Sequence, residues 1–286
     1  MRNNDFCVFI LSHGRPNNVL TYETLKKHGY TGKIIIIIDD LDKNQDKYID
    51  NFGRDNVYIF DKFEISKKTD NGDNFNDLRT TTHARNAIFE AAEKLGYKYF
   101  IQLDDDYTSF RYRWVDEKYM TKGFIKNLDN FLDILIDFYK QTPVKSISIA
   151  QGGDFIGGES CNMISNYLRA SRKCMNSFIC STERPFKFVS RLNEDVNTYL
   201  TLGSIGHLFL TIPHIALEQK QTQKNKGGMS ETYLDNGTFQ KSFFTVMYCP
   251  SFAKVSLMGF KSKRLHHSIN WENAVPCIID EKYKKI

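Results

Sequence analysis

The order of apolar runs and amphipathic stretches along the chain predicts an α/β fold. Short, uninterrupted apolar runs, typical of strands buried on both faces of a sheet, occur at Phe6–Leu11, Ile34–Ile38 and Val57–Phe60. Between the first two runs, a stretch from about Val19 to Lys27 has helical spacing and is followed by Gly29. This β-α-β order predicts an open, doubly wound sheet with helices on its faces.

The same pattern resumes after the polar segment Glu64–Thr82, which we interpret as a loop. Apolar residues from Ala87 to Leu95 have helical spacing, and the apolar run after them ends in three consecutive aspartates. A second amphipathic helix is predicted over residues 126–141, and a short strand over Ser146–Ala150.

The second half of the chain is less regular. The stretch NEDVNTYLTL predicts a helix that starts near Asn193, with Asn193 as its cap and two acidic residues in its first turn. The run Ser242–Tyr248 predicts a strand. Because no repeat or linker divides the chain, we expect a single domain over residues 1–286 with an elaborated C-terminal half.

Composition agrees with a folded domain that does not enter the membrane. Hydrophobic residues make up 41% of the chain, and no apolar run approaches the roughly 18 residues that a membrane span requires. The first residues are too polar for a secretory signal, so a cytoplasmic location is predicted. The six cysteines form no CxxC pair, which favours reduced thiols over a zinc site.

Positive charge is concentrated near the end of the chain. The formal net charge is +5, and residues 220–286 hold 11 Lys and Arg against 5 Asp and Glu. This asymmetry indicates a polyanionic partner at the C-terminal part, with a basic, solvated tail as the alternative.

Acidic residues follow several predicted strands, and the densest group is Asp104, Asp105 and Asp106. Aspartates are common in solvated turns, which is one interpretation. The other is a divalent metal site, because ligands of open α/β sheets bind at the carboxyl ends of the strands and Mg²⁺ or Mn²⁺ prefers carboxylate oxygens.

The usual glycine-rich phosphate loops, GxxxxGK[ST] and GxGxxG after a strand, are absent from the sequence. A nucleotide site would therefore depend on a metal ion and basic side chains. Arg85, in the first turn of the helix before the aspartates, is a candidate for contact with a diphosphate or nucleobase. An ordinary surface arginine is the alternative.

In order, the motifs VFILSHGRPNNVL, IIIIIDD, THARNAIFEAA, YFIQLDDDY and NEDVNTYL resemble the GT-A glycosyltransferases, over roughly the first 210 residues. LDDDY, RLNEDVNTYLTL and RLHHSINW together more narrowly resemble the TET-associated glycosyltransferases that bacteriophages encode to modify 5-hydroxymethylpyrimidines in DNA. The resemblance implies a GT-A-like (Rossmann-like), mostly parallel twisted sheet flanked by helices. Residues 1–110 would form the nucleotide-sugar-binding half and residues 111–286 the acceptor-binding half.

The resemblance also implies roles for individual residues. Asp104 and Asp106 would bind the divalent metal and the ribose of a UDP-sugar, with Asp105 turned toward the sugar or supporting its neighbours. Glu194 and Asp195 would supply the general base, although acids at this position also stabilise a helix N-terminus.

Further implied roles fall on loops. Ser12 and Arg15 correspond to the loop that contacts the base, and Asp40 to the acid that contacts uracil or ribose. His266 and His267 are candidates for a third metal ligand, with ordinary surface histidines as the alternative.

The activity implied is the metal-dependent transfer of glucose or arabinose from a UDP-sugar to 5-hydroxymethylcytosine, or another hydroxymethylpyrimidine, in phage DNA. This reaction would take place in the cytoplasm of the host cell, with Mn²⁺ or Mg²⁺ as cofactor and no membrane partner. A glycan, lipid or protein acceptor is one alternative, and a non-catalytic nucleic-acid-binding module is another. Both inversion and retention at the anomeric carbon stay open.

Overall fold

The computed structural model describes residues 3–116, 119–155, 163–164, 174–219, 239–259 and 263–274, together with residues 232, 235 and 237. The helices among these residues, in chain order, are α1 Leu20–Lys27, α2 Gln45–Phe52, α3 Lys62–Lys67, α4 Thr82–Lys94, α5 Leu128–Gln141, α6 Glu194–Ser204, α7 Gln240–Tyr248 and α8 Trp271–Ala274. The strands are β1 Phe6–Leu11, β2 Lys33–Asp39, β3 Val57–Phe60, β4 Tyr99–Asp104, β5 Tyr107–Asp116, β6 Tyr119–Phe124, β7 Ser146–Gln151, β8 Ser177–Ser181, β9 Phe209–Gln219, β10 Ala253–Met258 and β11 Arg264–Ile269.

Nine of the described strands form one sheet, in the order β3-β2-β1-β4-β8-β7-β9-β5-β6. Strands β3, β2, β1 and β4 are parallel to one another, and so are β7 and β9, whereas the remaining neighbours are antiparallel. The predicted α/β fold, a large sheet flanked by helices, is confirmed. Its parallel part is the N-terminal half, where the sequence shows the β-α-β order, and the rest of the sheet is mixed.

Apolar side chains of the sheet are buried on both of its faces. Ala87, Ile88, Ala91 and Ala92 of α4 pack on one face with Phe9, Phe100 and Phe178. Leu128, Leu132, Leu135 and Ile136 of α5 pack on the other face with Val8, Ile10 and Ile101. Burial from both sides explains why β1 and β2 are unbroken apolar runs rather than alternating ones.

Two predicted elements differ from the structure. The run Ser242–Tyr248 was predicted as a strand but belongs to helix α7. Phe239, just before the helix, and Phe243 and Met247 within it are exposed four residues apart. This spacing follows the helical period, and the aromatic content of the run suggested the wrong element. The predicted loop also starts too early, because residues up to Lys67 form α3, which Asp61 caps by accepting a 2.8 Å hydrogen bond from the Glu64 amide.

The described cysteines Cys7, Cys174, Cys180 and Cys249 are free and buried, as predicted. None of the described helices has the length and apolar character that crossing a membrane requires. Cys161, Cys277 and the basic segment 220–228 lie outside the described residues.

The carboxyl ends of β1, β2 and β4 meet at one edge of the sheet. Leu11, the last residue of β1, pairs with Asp104 at the end of β4, and the Ser12 amide donates a 3.2 Å hydrogen bond to the Ile37 carbonyl of β2. Ser12, Asp39 and the three consecutive aspartates are therefore neighbours in space, as the β-α-β order predicts.

Candidate active site

A buried arginine joins two of the predicted acidic motifs. Arg85 Nη2 donates a 2.9 Å hydrogen bond to Asp104 Oδ1, and Arg85 Nε donates a 3.0 Å bond to Glu194 Oε1. Thr81 donates to the same oxygen of Glu194 at 2.7 Å. The end of β4 and the start of α6, which are 90 residues apart in the sequence, thus lie at one site.

The Arg85 guanidinium is almost completely enclosed, with only 1% of the side chain exposed. It lies 5.0 Å from the ring centroid of Phe178 and 5.8 Å from that of Phe188, and Nη2 also donates to Asn176 Oδ1 at 3.2 Å. Its Nη1 is buried without a hydrogen-bond partner among the described atoms. Arg85 therefore holds the two acidic motifs together.

The middle aspartate is bound to the loop after β1. Asp105 is 2% exposed, accepts a 2.6 Å hydrogen bond from the Ser12 hydroxyl and forms a 3.2 Å ion pair with Arg15 Nη2. The Tyr48 hydroxyl lies 2.8 Å from Ser12 Oγ and accepts from the Arg15 amide at 2.9 Å. Ser12, Arg15 and Asp105 are thus brought together, and Asp105 holds the side chains of Ser12 and Arg15.

The electrostatics of the aspartates reflect this enclosure. Burial raises the pKa of Asp104 to about 7 despite the opposing Arg85 charge, and nearby Asp106 adds to the rise. Burial also raises the pKa of Asp105 to about 6, against the effects of Arg15 and Ser12. For Arg85, burial disfavours the charged form, but Asp104 and Glu194 outweigh it and raise the pKa above its ordinary value.

Asp104 and Asp106 together suit a divalent cation. They are close enough to perturb one another electrostatically, and the Asp104 side chain remains 26% exposed. Among the described residues, no group of three or more His, Cys, Asp or Glu is arranged to hold a metal ion. Two carboxylates nevertheless fit Mg²⁺ or Mn²⁺ when substrate phosphates and water complete the shell.

One of the two candidate histidines reaches the acidic start of α6. His267 Nδ1 lies 3.3 Å from Asn193 Nδ2, which also donates a 2.6 Å hydrogen bond to Thr245 Oγ1. The His266 and His267 ring centroids are 4.2 Å apart. Asn193 has a left-handed backbone with φ 60° and makes no capping bond with its side chain, so the predicted Asn cap is wrong. Its side chain instead connects α6 to α7 and β11.

The two aspartates at the end of β2, Asp39 and Asp40, have different surroundings. Asp39, which is 5% exposed, binds Lys62 Nζ at 3.2 Å and His13 Nδ1 at 2.8 Å. Burial opposes ionisation of Asp39, but His13 and Lys62 outweigh it and lower its pKa. Asp40, the predicted uracil or ribose contact, is exposed and accepts a 2.9 Å bond from the Lys62 amide.

Arg191, two residues before Asn193, is a feature that the sequence analysis missed. It is 1% exposed and pairs with Asp73 at 2.9 Å and with Asp77 at 3.1 Å. Its backbone amide donates to Asn71 and that of Ser190 donates to Asp70. The acidic loop around residues 70–77 is therefore fixed against the start of α6. The alternation of Asp and Asn in that loop was the available signal.

The sequence of residues 6–228 matches the model of one protein family, described as TET-Associated Glycosyltransferase. The chain belongs to this family. It is therefore a glycosyltransferase, and the resemblance to the TET-associated glycosyltransferases is confirmed.

Two crystal structures of glucosyl-3-phosphoglycerate synthase from Mycobacterium tuberculosis are also similar to this TET-associated glycosyltransferase. One contains Mg²⁺ and UDP, has 10% sequence identity and a TM-score of 0.46, and covers 92% of this chain and 87% of its own. The other contains Mn²⁺, UDP and phosphoglyceric acid, has 9% identity and the same TM-score, and covers 92% and 86%. No curated protein matches the chain.

In this TET-associated glycosyltransferase, replacing Arg85 by methionine should lower the free energy of unfolding by about 3–5 kcal/mol. The change leaves the buried Glu194 and the partly exposed Asp104 without the arginine that pairs with both, and breaking a buried ion pair from one side is costly. Urea denaturation of the variant and the parent measures the change in the free energy of unfolding. Arg54→Met is the control, because Arg54 is exposed and should change stability by less than about 0.5 kcal/mol.

The double variant Arg85→Met with Glu194→Gln separates pairing from packing. If the ion pair carries the effect, the loss in the double variant is smaller than the sum of the single losses. A single Arg85→Met variant within about 1 kcal/mol of the parent would contradict the assignment of Arg85 as the residue that holds the site together.

Proposed function

We propose that this TET-associated glycosyltransferase transfers a sugar, glucose or arabinose, from a UDP-sugar to the hydroxymethyl group of 5-hydroxymethylcytosine, or another hydroxymethylpyrimidine, in DNA. The reaction uses Mn²⁺ or Mg²⁺ and takes place in the cytoplasm of the host cell. The observation that carries the proposal is the contact of Arg85 with both Asp104 and Glu194. The proposed metal ligands, Asp104 and Asp106, thereby lie at the same site as Glu194 and Asp195, the acids proposed to act on the acceptor hydroxyl.

On the donor side, Asp104 and Asp106 are the proposed ligands of the cation. A cation held there would supply positive charge opposite the negative charge of the departing diphosphate. Ser12 and Arg15 line the loop beside them and are proposed to contact the nucleotide, held in place by Asp105. Asp40 is exposed next to this loop and stays a candidate for the uracil or ribose.

On the acceptor side, Asp195 is the proposed general base. The hydroxymethyl oxygen attacks the anomeric carbon, the bond from that carbon to the diphosphate breaks, and UDP departs with the bonding pair. The hydroxyl proton passes to Asp195. Glu194, whose Oε1 accepts from Arg85 and Thr81, is the second candidate for this role.

The acceptor is supported by the family membership and by the charge of the last quarter of the chain. Residues 220–286 carry a charge excess of six, from 11 basic and 5 acidic residues. Duplex DNA presents phosphates that such a region would bind in a salt-dependent way.

A panel of UDP-sugars tests donor and acceptor together. The protein is incubated with Mn²⁺, one UDP-sugar and DNA containing 5-hydroxymethylcytosine, 5-hydroxymethyluracil or unmodified cytosine. The DNA is then digested to nucleosides for mass spectrometry. We expect a mass increase of one sugar residue on a hydroxymethylpyrimidine only. Transfer to a glycan, lipid or protein in place of DNA, or no turnover of any donor, would contradict the proposal.

A further inference from the structure

The hairpin formed by β10 and β11 stands apart from the main sheet and has two different faces. Its strands pair antiparallel, with Leu257 opposite Leu265 and Met258 opposite Arg264. Side chains opposite one another in such a pair share a face, and successive side chains alternate between faces. The register therefore assigns each side chain of the hairpin to a face.

One face of the hairpin extends from Ile269, at the core, to the leucine pair near the opposite end of the two strands, and His267 of this face lies close to the start of α6. Ile269, at the base, packs against the core. His267 comes next and lies beside Asn193, the residue before Glu194. Leu257 and Leu265 form the next pair on this face, about 7 Å beyond His267 at two residues of strand rise.

This leucine pair is open to solvent. Leu257 is 66% exposed and Leu265 is 40% exposed. Two large apolar side chains opposite one another on a solvated hairpin form a small hydrophobic patch. The patch lies two strand positions from His267, which approaches Asn193 at the start of α6, the helix that holds the proposed base.

The opposite face is basic. It carries Lys254, Met258 and Arg264, and the side chains of Lys254 and Arg264 are exposed. Over residues 251–271 the sequence contains four Lys and Arg residues and no Asp or Glu. A stretch of sequence with four basic residues and no acid is complementary in charge to a polyanion.

We propose that the β10–β11 hairpin is the element that engages duplex DNA. Lys254 and Arg264 contact backbone phosphates, while Leu257 and Leu265 enter the base stack and occupy the place of the nucleotide that turns out toward Asp195. This inference rests on the proposed function. The hairpin lies beyond residue 228, so the family match does not cover it.

Both halves of the surface are needed for the chemistry. A base inside a duplex must leave the stack before its hydroxymethyl group can reach an enclosed carboxylate, and unpairing it costs a few kcal/mol. Apolar side chains inserted at a base step offset part of that cost, while phosphate contacts hold the duplex in register.

The basic face is tested with Lys254→Gln combined with Arg264→Gln. Binding to a short duplex is measured by fluorescence anisotropy over a series of KCl concentrations. Loss of two phosphate contacts should lower the slope of log K against log salt by about 2 and weaken binding by on the order of 10- to 100-fold at 0.1 M salt. Lys94→Gln with Lys126→Gln removes the same charge from exposed positions at the opposite edge of the sheet and should leave the slope unchanged.

The leucine pair is tested with Leu257→Asn combined with Leu265→Asn. Transfer is compared on the same modified strand, single-stranded and paired with its complement. Because a single strand has no base pair to open, we expect the rate on the duplex to fall about tenfold or more, with the single-strand rate preserved. Ile134→Asn with Leu95→Asn, two exposed apolar residues on α5 and after α4, is the matched control.

The two levels of the proposal fail separately. If the parent protein transfers no sugar to DNA, the proposed function is wrong, whatever the hairpin variants do. If the parent is active and both hairpin variants keep its salt slope and its ratio of duplex to single-strand rates, the hairpin inference is wrong and the function stands. Thermal unfolding and UDP binding with Mn²⁺ confirm that the variants are folded with an intact donor site.

Discussion

Replacing Asp106 by alanine is expected to reduce metal-dependent sugar transfer by at least about 10³-fold while the fold stays intact. A bound cation supplies several kcal/mol of stabilisation to a departing diphosphate, and each 1.4 kcal/mol corresponds to a factor of about ten in rate. Asp106 lies two residues after the end of β4 and is only partly buried, so its removal opens no cavity in the core. Transfer rates over a Mn²⁺ titration give the effect.

Metal binding is measured separately from turnover. The parent protein should show a Mn²⁺-dependent rise in thermal unfolding temperature when UDP is present, and Asp106→Ala should lose most of that rise. Asp55→Ala is the matched control, since Asp55 is an exposed aspartate that precedes β3 at the opposite edge of the sheet. An Asp106→Ala variant with full activity and an unchanged Mn²⁺ response would remove Asp106 from the set of ligands.

The sequence reveals the part of the fold in which local and global signals agree. Strands β1, β2 and β4 are long apolar runs, and their parallel order follows from the helices between them. The edge that carries Ser12 and the aspartates could therefore be located without coordinates. The places of the later strands in the sheet could not be predicted, although β7 was recognised as a strand, because antiparallel neighbours such as β4 and β8 are brought together by long-range packing rather than by a β-α-β unit.

At the candidate site, too, the sequence indicates which residues take part but not which of them are in contact. The three consecutive aspartates suggested a positively charged partner, and a divalent metal ion was the partner predicted. The structure adds two arginines, Arg15 on Asp105 and Arg85 on Asp104. Residue type and order do not reveal such pairs, because the partners lie far apart in the sequence and either arginine would also suit an exposed surface.

The region around Asn193 shows where capping rules fail. An asparagine before two acids is a common start of a helix, and α6 does begin at Glu194. The side chain nevertheless binds Thr245 of α7 and approaches His267, because the left-handed backbone at Asn193 turns it away from the helix amides. A tertiary contact replaces the local one, and its partner Thr245 lies in helix α7, where a strand was predicted.

Replacing Asp195 by asparagine is expected to lower the turnover number by about 10²- to 10⁴-fold, with UDP affinity unchanged. General base catalysis typically contributes that much. Asparagine keeps the oxygen that accepts a 2.8 Å hydrogen bond from the Val196 amide, so the start of α6 is preserved. The amide cannot take the proton of the acceptor hydroxyl. Initial rates with saturating donor and acceptor, together with calorimetric titration of UDP, separate turnover from binding.

Glu194→Gln is the matched comparison, one residue away. Glutamine keeps an oxygen for Thr81 and Arg85 but removes the charge that Arg85 pairs with, so the main loss should be in stability, with a smaller effect on turnover. The anomeric configuration of the product, read by NMR, completes the test, because an inverting reaction requires a base at the acceptor and a retaining one does not. Retention with an active Asp195→Asn variant would contradict this role for Asp195. Loss of turnover in Glu194→Gln alone would move the role to Glu194.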